Sequence, residues 1–220
     1  MRRLPMLALL SAATLCSASE RDVAGLVAQL AKPAPATIEF TEVRFSHLVR
    51  EPLIVSGELG YSGPTSLDRR VTTPYREHTS IRGESVKVER EGEKPRSFAL
   101  KHAPELRGLL AGFSAMLSGD ADALQRAFTA QASGSGNEWV LKLRPKDAKA
   151  QRRLARIEVT GSGAEPRCFS MVGADNSFSV LLLGTAAKEP LPDKVTEKTV
   201  STRCGLEALS PVMPAPGAGR

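Results

Sequence analysis

Residues 38–74 read IEFTEVRFSHLVREPLIVSGELGYSGPTSLDRRVTTP, three consecutive antiparallel strands with turns at Glu51-Pro52 and Gly63-Pro64. In the middle strand Leu53, Val55, Leu59 and Tyr61 share one face, with Gly57 among them. Ile54, Ser56 and Glu58 point the other way, the period of two that marks a half-buried strand. The third run repeats the pattern, with Leu67 and Val71 against Asp68, Arg70 and Thr72. In the first run Ile38 and Phe40 fall on one parity and Val43 and Phe45 on the other. That change predicts a bulge near Thr41 or Glu42, which would bend the strand and curl the sheet.

Downstream the strands continue at short, regular spacing. Residues 76–81, 85–90 and 97–102 read as three more, with turns at Arg82-Gly83-Glu84 and around Glu91–Lys94. Such spacing favours a meander in which each strand pairs with the next. The period then changes. From Pro104, a residue suited to a first helical turn, Leu106, Leu109, Leu110, Phe113, Met116 and Leu117 recur at helical spacing. Gly108, Gly112 and Ala115 lie behind this stripe, so the helix is either packed closely on its small side or soft. Each mid-helix glycine costs about 1 kcal/mol relative to alanine. Gly119 ends the helix, and Asp120 caps a second one whose buried face is Leu124, Ala127 and Phe128. After a turn at Gly134-Ser135-Gly136, residues 139–145 (WVLKLRP) return to strand with Trp139, Leu141 and Leu143 on one face. Strands follow at about residues 154–161, 167–172 and 177–184.

Upstream, residues 21–32 form a short amphipathic helix through Val23, Leu26, Val27 and Leu30, ended by Pro33 and Pro35. Before it stand Arg2 and Arg3, an apolar run from Leu4 to Cys16, and the small residues Cys16-Ser17-Ala18, the layout of a cleaved export signal. Leu15 is a poor fit to the small residue that acylation of Cys16 would want. The organisation is therefore a signal peptide over 1–18, a half-barrel domain over 22–187, and a Pro-rich, partly disordered C-terminal segment over 188–220.

Composition narrows the function. The chain has 220 residues, 41% of them hydrophobic but only 5% aromatic, so burial rests on Leu, Val, Ile and Ala. Removal of residues 1–18 takes Arg2 and Arg3 from the 30 basic residues and nothing from the 24 acidic ones, leaving a net charge of +4. The basic residues are scattered among acids, which does not suit a nucleic-acid or membrane-surface stripe. Two cysteines remain, Cys168 and Cys204, which an oxidising compartment would pair; the alternative is two free thiols.

Catalytic signatures are missing. His47, His78 and His102 are far apart and none stands in H-E-x-x-H; Gly112-Phe113-Ser114-Ala115-Met116 breaks G-x-S-x-G at its last position. No Walker A loop occurs. Glu39, Glu42 and Glu51 would make a carboxylate pair only if they left the wet face of their strands. No enzyme, no metal site and no cofactor are expected.

The order of parts is signal peptide, short helix, long bent strand, meander, helix pair, then W-x-L-x-L-x-P. It resembles the bacterial LolA-like family of periplasmic outer-membrane lipoprotein carriers, over most of residues 23–184. The resemblance rests on Phe40-Thr41-Glu42, on Gly57-Glu58-Leu59-Gly60-Tyr61 leading to Pro64, on Leu117-Ser118-Gly119-Asp120, and on residues 139–145. The last are closest to a divergent LolA-related branch. It implies a mainly β (α+β) fold: an incomplete antiparallel β-barrel with covering helices on its concave face. It also implies an acyl-chain cavity, for which Phe40, Leu59, Tyr61, Leu106, Leu110, Phe113, Leu117, Trp139 and Leu141 are the candidate lining residues. The implied partners are a lipidated cargo, an inner-membrane donor complex and an outer-membrane acceptor, for a monomer that binds no nucleic acid. One position departs from the family: Gly63 stands where the lipoprotein carriers have a basic residue before the proline.

Three functions follow: a periplasmic carrier for a lipoprotein or another envelope lipid, an adaptor without a ligand of its own serving a lipid or glycolipid export system, and a hydrolase with a dispersed site. A cavity between sheet and helices separates the first two, and convergent polar groups in it would mark the third. Cleavage after Ala18 should yield a soluble protein whose intact mass begins at Ser19. A diacylated Cys16 at the mature N-terminus would instead make the protein itself a lipoprotein.

Overall fold

The computed structural model describes residues 19–46 and 49–206. The expected signal peptide, His47 and the Pro211–Arg220 end lie outside them. One twelve-stranded antiparallel sheet holds the chain together, in the order β1-β8-β9-β10-β11-β12-β2-β3-β4-β5-β6-β7. It is curled but not closed, with β1 and β7 as its edges.

Two meanders build the sheet. The first runs from β2 (Ala36–Phe45) through β3 (Leu53–Gly63), β4 (Ser66–Thr73), β5 (Glu77–Arg82) and β6 (Ser85–Arg90) to β7 (Arg96–Ala99). The second comprises β8 (Phe128–Ser135), β9 (Glu138–Pro145), β10 (Leu154–Ser162), β11 (Glu165–Gly173) and β12 (Phe178–Leu183). They join where β12 pairs with β2, from Phe178 opposite Phe45 to Leu183 opposite Phe40. The short strand β1 (Ser19–Arg21) adds to β8. Between the meanders lie α2 (Pro104–Ser118) and α3 (Ala121–Ala127), with α1 (Val23–Gln29) beside them. Asp22 caps α1, accepting from the Gly25 amide at 2.8 Å, and Asp120 caps α3, accepting from that of Ala123 at 2.7 Å.

Three sequence expectations change. The bulge near Thr41 or Glu42 is absent: β2 pairs without a break from Ala36–Tyr61 to Arg44–Leu53. The parity change instead reflects burial on both faces, since Phe40, Thr41, Glu42 and Val43 are all buried. Bulges occur one strand further on, in β3–β4, between Ser56 and Gly57 and between Tyr61 and Gly63. At the first, a Cβ on Gly57 would sit 1.8 Å from the Arg70 carbonyl oxygen, so only glycine allows the strands to close there. Residues 128–135, not expected as strand, form β8; Phe128 is buried on it rather than on α3, and Ala127 is exposed. The run expected at 97–102 stops as a strand at Ala99 and turns into a short 3₁₀ helix, Leu100–His102. Beyond residue 188 the described chain is folded through Leu206 and includes the helix α6 (Glu197–Arg203), with a Thr196–Thr199 capping box.

The small-residue side of α2 is closely packed. A Cβ on Gly108 would lie 2.7 Å from Leu154 Cδ2, and one on Gly112 would touch the Phe169 ring at 3.4 Å. The two glycines bring the helix axis against β10 and β11. The opposite stripe, including Leu109, Leu110, Phe113 and Met116, belongs to the same buried cluster as Val55, Leu59 and Leu67 of the first meander. The helix is therefore buried on both sides.

A second core lies on the convex face. Val43, Val172, Phe178, Val180 and Leu182 point outward and are covered by α5 (Thr185–Lys188), α6 and Leu206. Cys168 of β11 and Cys204, at the end of α6, form a disulfide within this cluster, tying the C-terminal segment to the β11–β12 hairpin. The Thr160 hydroxyl donates to the Cys204 carbonyl at 2.8 Å beside it. With the cysteines 36 positions apart in the sequence, loss of the bridge should cost about 3–4 kcal/mol by the chain-entropy relation. Denaturant melts of the Cys168→Ser/Cys204→Ser double variant against the unreduced parent test this; equal midpoints would mean that α6 packing alone holds the face.

Candidate ligand cavity

Inward-facing residues of the sheet change character along its strands. Toward one end they are apolar and lie under the helices: Leu59 of β3, Leu67 of β4, Ile81 of β5, Trp139 and Leu141 of β9. The Trp139 indole N–H donates to the Gly163 carbonyl at 2.8 Å, so its buried polar atom is satisfied. Toward the other end the same parity carries charge.

Glu42 and Arg44 of β2 follow Phe40 on the inner face; Arg69 of β4 stands between Leu67 and Val71; Glu77 begins β5 and Arg90 ends β6. Strand pairing turns these into one alternating chain. Arg44 donates to Glu42 at 2.7 Å, and the other Glu42 oxygen accepts from Arg69. Arg69 reaches Glu77 at 3.4 Å, Arg90 meets Glu77 at 2.8 Å and Glu93 at 3.4 Å, and Arg96 lies 3.7 Å from Glu93. Two rings join in: the Arg69 guanidinium lies 5.1 Å from the centre of Phe40, and that of Arg90 4.5 Å from the centre of Tyr75. Glu42 is 2% exposed and Arg69 8%, so this is a buried ion pair with a partly wet continuation.

Burial alone would push the Glu42 carboxyl up. The Arg69 and Arg44 guanidiniums outweigh it and hold that carboxyl below the ordinary carboxylate value of 4.5.

The chain of charges floors a cavity of about 820 Å³, within the range of about 300–1,000 Å³ typical of ligand pockets. Apolar side chains line the same space, among them Leu53, the cross-strand partner of Arg44, and Val88, the partner of Arg96, together with Phe98, Leu106, Leu154 and Met171. Leu106, in the first turn of α2, lines the cavity and also packs against the inner core. The cavity is thus the open continuation of the space that α2 fills.

Eight of the nine residues expected to line an acyl-chain cavity share one cluster. Phe40, Leu59, Leu110, Phe113, Trp139 and Leu141 are buried in one cluster, with Leu106 and Leu117 half-buried against it; Tyr61 is buried but lies outside that cluster. Phe113 packs edge-on to Phe169 with ring centres 5.9 Å apart. Of the nine, Leu106 alone is among the residues lining the 820 Å³ space. The charged floor was missed. Glu42 was read with the wet-face carboxylates and lies inside, although its parity with Phe40 already placed it there.

An unclosed antiparallel sheet curled around its own crossover helices, with a cavity where that filling ends, is the LolA-like architecture. The chain belongs to the family described as outer membrane lipoprotein carrier protein LolA-like, whose profile matches residues 15–205. The members of that family are periplasmic carriers rather than enzymes. Among solved structures, a LolA superfamily protein from Nitrosomonas europaea is similar at 11% identity and a TM-score of 0.40, covering 78% of this chain and 94% of that one. A DUF1329 family protein from Desulfovibrio piger is similar at 9% identity and a TM-score of 0.32, covering 78% and 92%. No curated protein matches the sequence.

Arg69→Met should lower stability by up to about 3–5 kcal/mol, because it leaves the buried Glu42 carboxylate with the half-exposed Arg44 as its remaining ion-pair partner among the described residues; adding Glu42→Gln should recover part of that loss. Since folding lowers the Glu42 pKa, its contribution is full above about pH 4.5 and is lost as the pH falls through the lowered value. Glu42→Gln should therefore flatten the acid limb of a stability–pH curve. An unchanged limb would show that other carboxylates set it.

Proposed function

We propose that the protein is a periplasmic carrier that takes up the acyl chains of a lipoprotein or another envelope lipid between sheet and helices and shuttles it toward the outer membrane. The observation that carries this reading is the continuity of the cavity with the apolar concave core, through Leu106. Acyl burial gains about 0.8 kcal/mol per methylene, so a carrier needs a wide apolar surface more than polar specificity. Such a surface must be covered when empty, and α2 covers it. Export to the periplasm, processing after Ala18, an inner-membrane donor and an outer-membrane acceptor belong to the same reading. The disulfide supports an oxidising compartment.

Loading begins, in this scheme, at the cavity and proceeds along α2. Leu106 is half-buried and Arg107 exposed, whereas Leu109, Phe113 and Met116 are buried. Arg107 pairs with Glu84 of the β5–β6 turn at 2.8 Å, a surface contact of little weight. The far end of the helix is tied to α1, where the Lys32 amide donates to the Leu117 carbonyl at 2.8 Å. The arriving chain displaces the first turns while the last turn stays anchored. The adaptor reading requires no cavity and leaves this one unexplained.

Phe113→Ala tests the exchange. It should cost up to about 3–5 kcal/mol of stability, as for a large buried aromatic. It should also tighten binding of a fluorescent fatty acid, because the closed empty state loses contacts that the ligand replaces. Leu110→Ala should act in the same direction. Unfolding with unchanged binding in the folded fraction would make the stripe permanent core, and absence of binding to any acyl probe by folded parent protein would remove the carrier reading.

A further inference from the structure

We propose that the cavity selects an amphiphile with an anionic head, seated chain-inward with the head at the rim on Arg152 and Arg153. This rests on the carrier reading and adds the class of cargo. Among the described residues six arginines line the cavity, Arg44, Arg69, Arg90, Arg96, Arg152 and Arg153, against three carboxylates, Glu42, Glu77 and Asp175, with Glu93 outside the lining answering Arg90 and Arg96. A neutral cargo head gives no use for that excess.

The arginines divide into two groups. Arg69 and Arg90 are held in the chain of ion pairs with Glu42, Glu77 and Glu93. Their charge is answered from within the fold, and they keep the floor rigid. Arg152 and Arg153 are exposed, and no carboxylate among the described residues lies within ion-pair distance of either. Their backbone is fixed nonetheless. They follow α4 (Ala148–Gln151), which Asp147 caps, and the Arg153 amide donates to the Ala150 carbonyl at 3.0 Å. The Ala174 amide donates to the Arg153 carbonyl at 3.0 Å, pinning the turn to the β11–β12 hairpin at the cavity edge. Two adjacent guanidiniums on a fixed turn offer the multiple donors that phosphate or carboxylate oxygens accept.

Polarity along the cavity sets the orientation. Leu154, which directly follows exposed Arg153, is buried, and Met171, Leu53, Val88 and Phe98 also line the cavity. Leu53 is 42% exposed, an unusual position for a large apolar side chain on a strand, and it lies on the cavity wall. A chain entering between these walls reaches Leu106 and the α2 stripe, while its head stays at the rim. A positive rim over low-dielectric walls also concentrates anions at the entrance.

Equilibrium dialysis of the mature chain with four palmitoyl-chain probes below their micellar concentrations tests this. The probes are lysophosphatidic acid, palmitate, monopalmitoylglycerol and the quaternary ammonium analogue. The anions should bind at least about tenfold more tightly than the neutral glycerol ester, as charge-assisted hydrogen bonds predict, and the cation most weakly. Added salt should weaken the anions alone. Arg152→Ser/Arg153→Ser, at exposed positions and checked for an unchanged melting curve, should abolish the anion advantage and leave the glycerol ester unaffected. The tighter of the two anions identifies the head as phosphate or carboxylate. Equal binding of anionic and neutral probes, or an advantage that survives in the variant, overturns the head-group inference and leaves the carrier standing. No binding of any probe overturns both.

Discussion

The chain between β7 and β8 must travel from one edge of an open twelve-stranded sheet to the region of the other, and it does so across the concave face. That single requirement places α2 and α3 inside the curl. A helix there is surrounded by sheet, so it has to be apolar on more than one side and thin where the walls come close. Gly108 and Gly112 meet the second condition against Leu154 and Phe169, and the stripe through Leu109 and Phe113 meets the first. The interior space of the protein is what this crossover leaves unfilled. It lies at the start of α2, where the chain has just left β7.

The unfilled end is also where the inner face turns ionic. Burying Glu42 and Arg69 together is tolerable because each has further partners: Arg44 for the carboxylate, Glu77 and the Phe40 ring for the guanidinium. Such a network seldom adds net stability over a well-packed apolar equivalent. It also divides the inner surface into a compartment that excludes water and one that admits it.

Much of the sheet was legible from period-two patterning, because one face of most strands is wet. The stretches that misled are those where this fails. In β2 both faces are buried around Thr41 and Val43, and two-sided burial mimics a bulge when only one strand is read. The cover responsible comes from α6, whose sequence EKTVSTR offers Val200 as its one large apolar residue; neither the helix nor its packing stands out among the surrounding proline and charge. Eight of the nine apolar candidates share the inner cluster because they follow the periodicity of their strands and of α2. The charged floor was half visible, since Glu42, Arg69 and Arg90 share parity with Phe40, Val71 and Val88. Their convergence depends on register between strands far apart in sequence, and parity within a strand carries no register.

The seam between β12 and β2 has a consequence for how the molecule is made. β2 is among the first strands to emerge and β12 the last, so the central pairing of the sheet closes a loop that spans most of the chain. Loop closure of that kind is slow relative to the local hairpins of either meander. The first meander can therefore assemble while β2 still has an open edge and Val43 on its convex face is bare. In that interval its apolar surface and unpaired strand invite the wrong partner. Formation of the seam covers both at once, and the Cys168–Cys204 bridge ties β11, the strand next to it, to the segment that follows. For this fold the late C-terminal strand acts as the fastener of the whole sheet, so a chain cut short before Phe178 loses its centre rather than its margin.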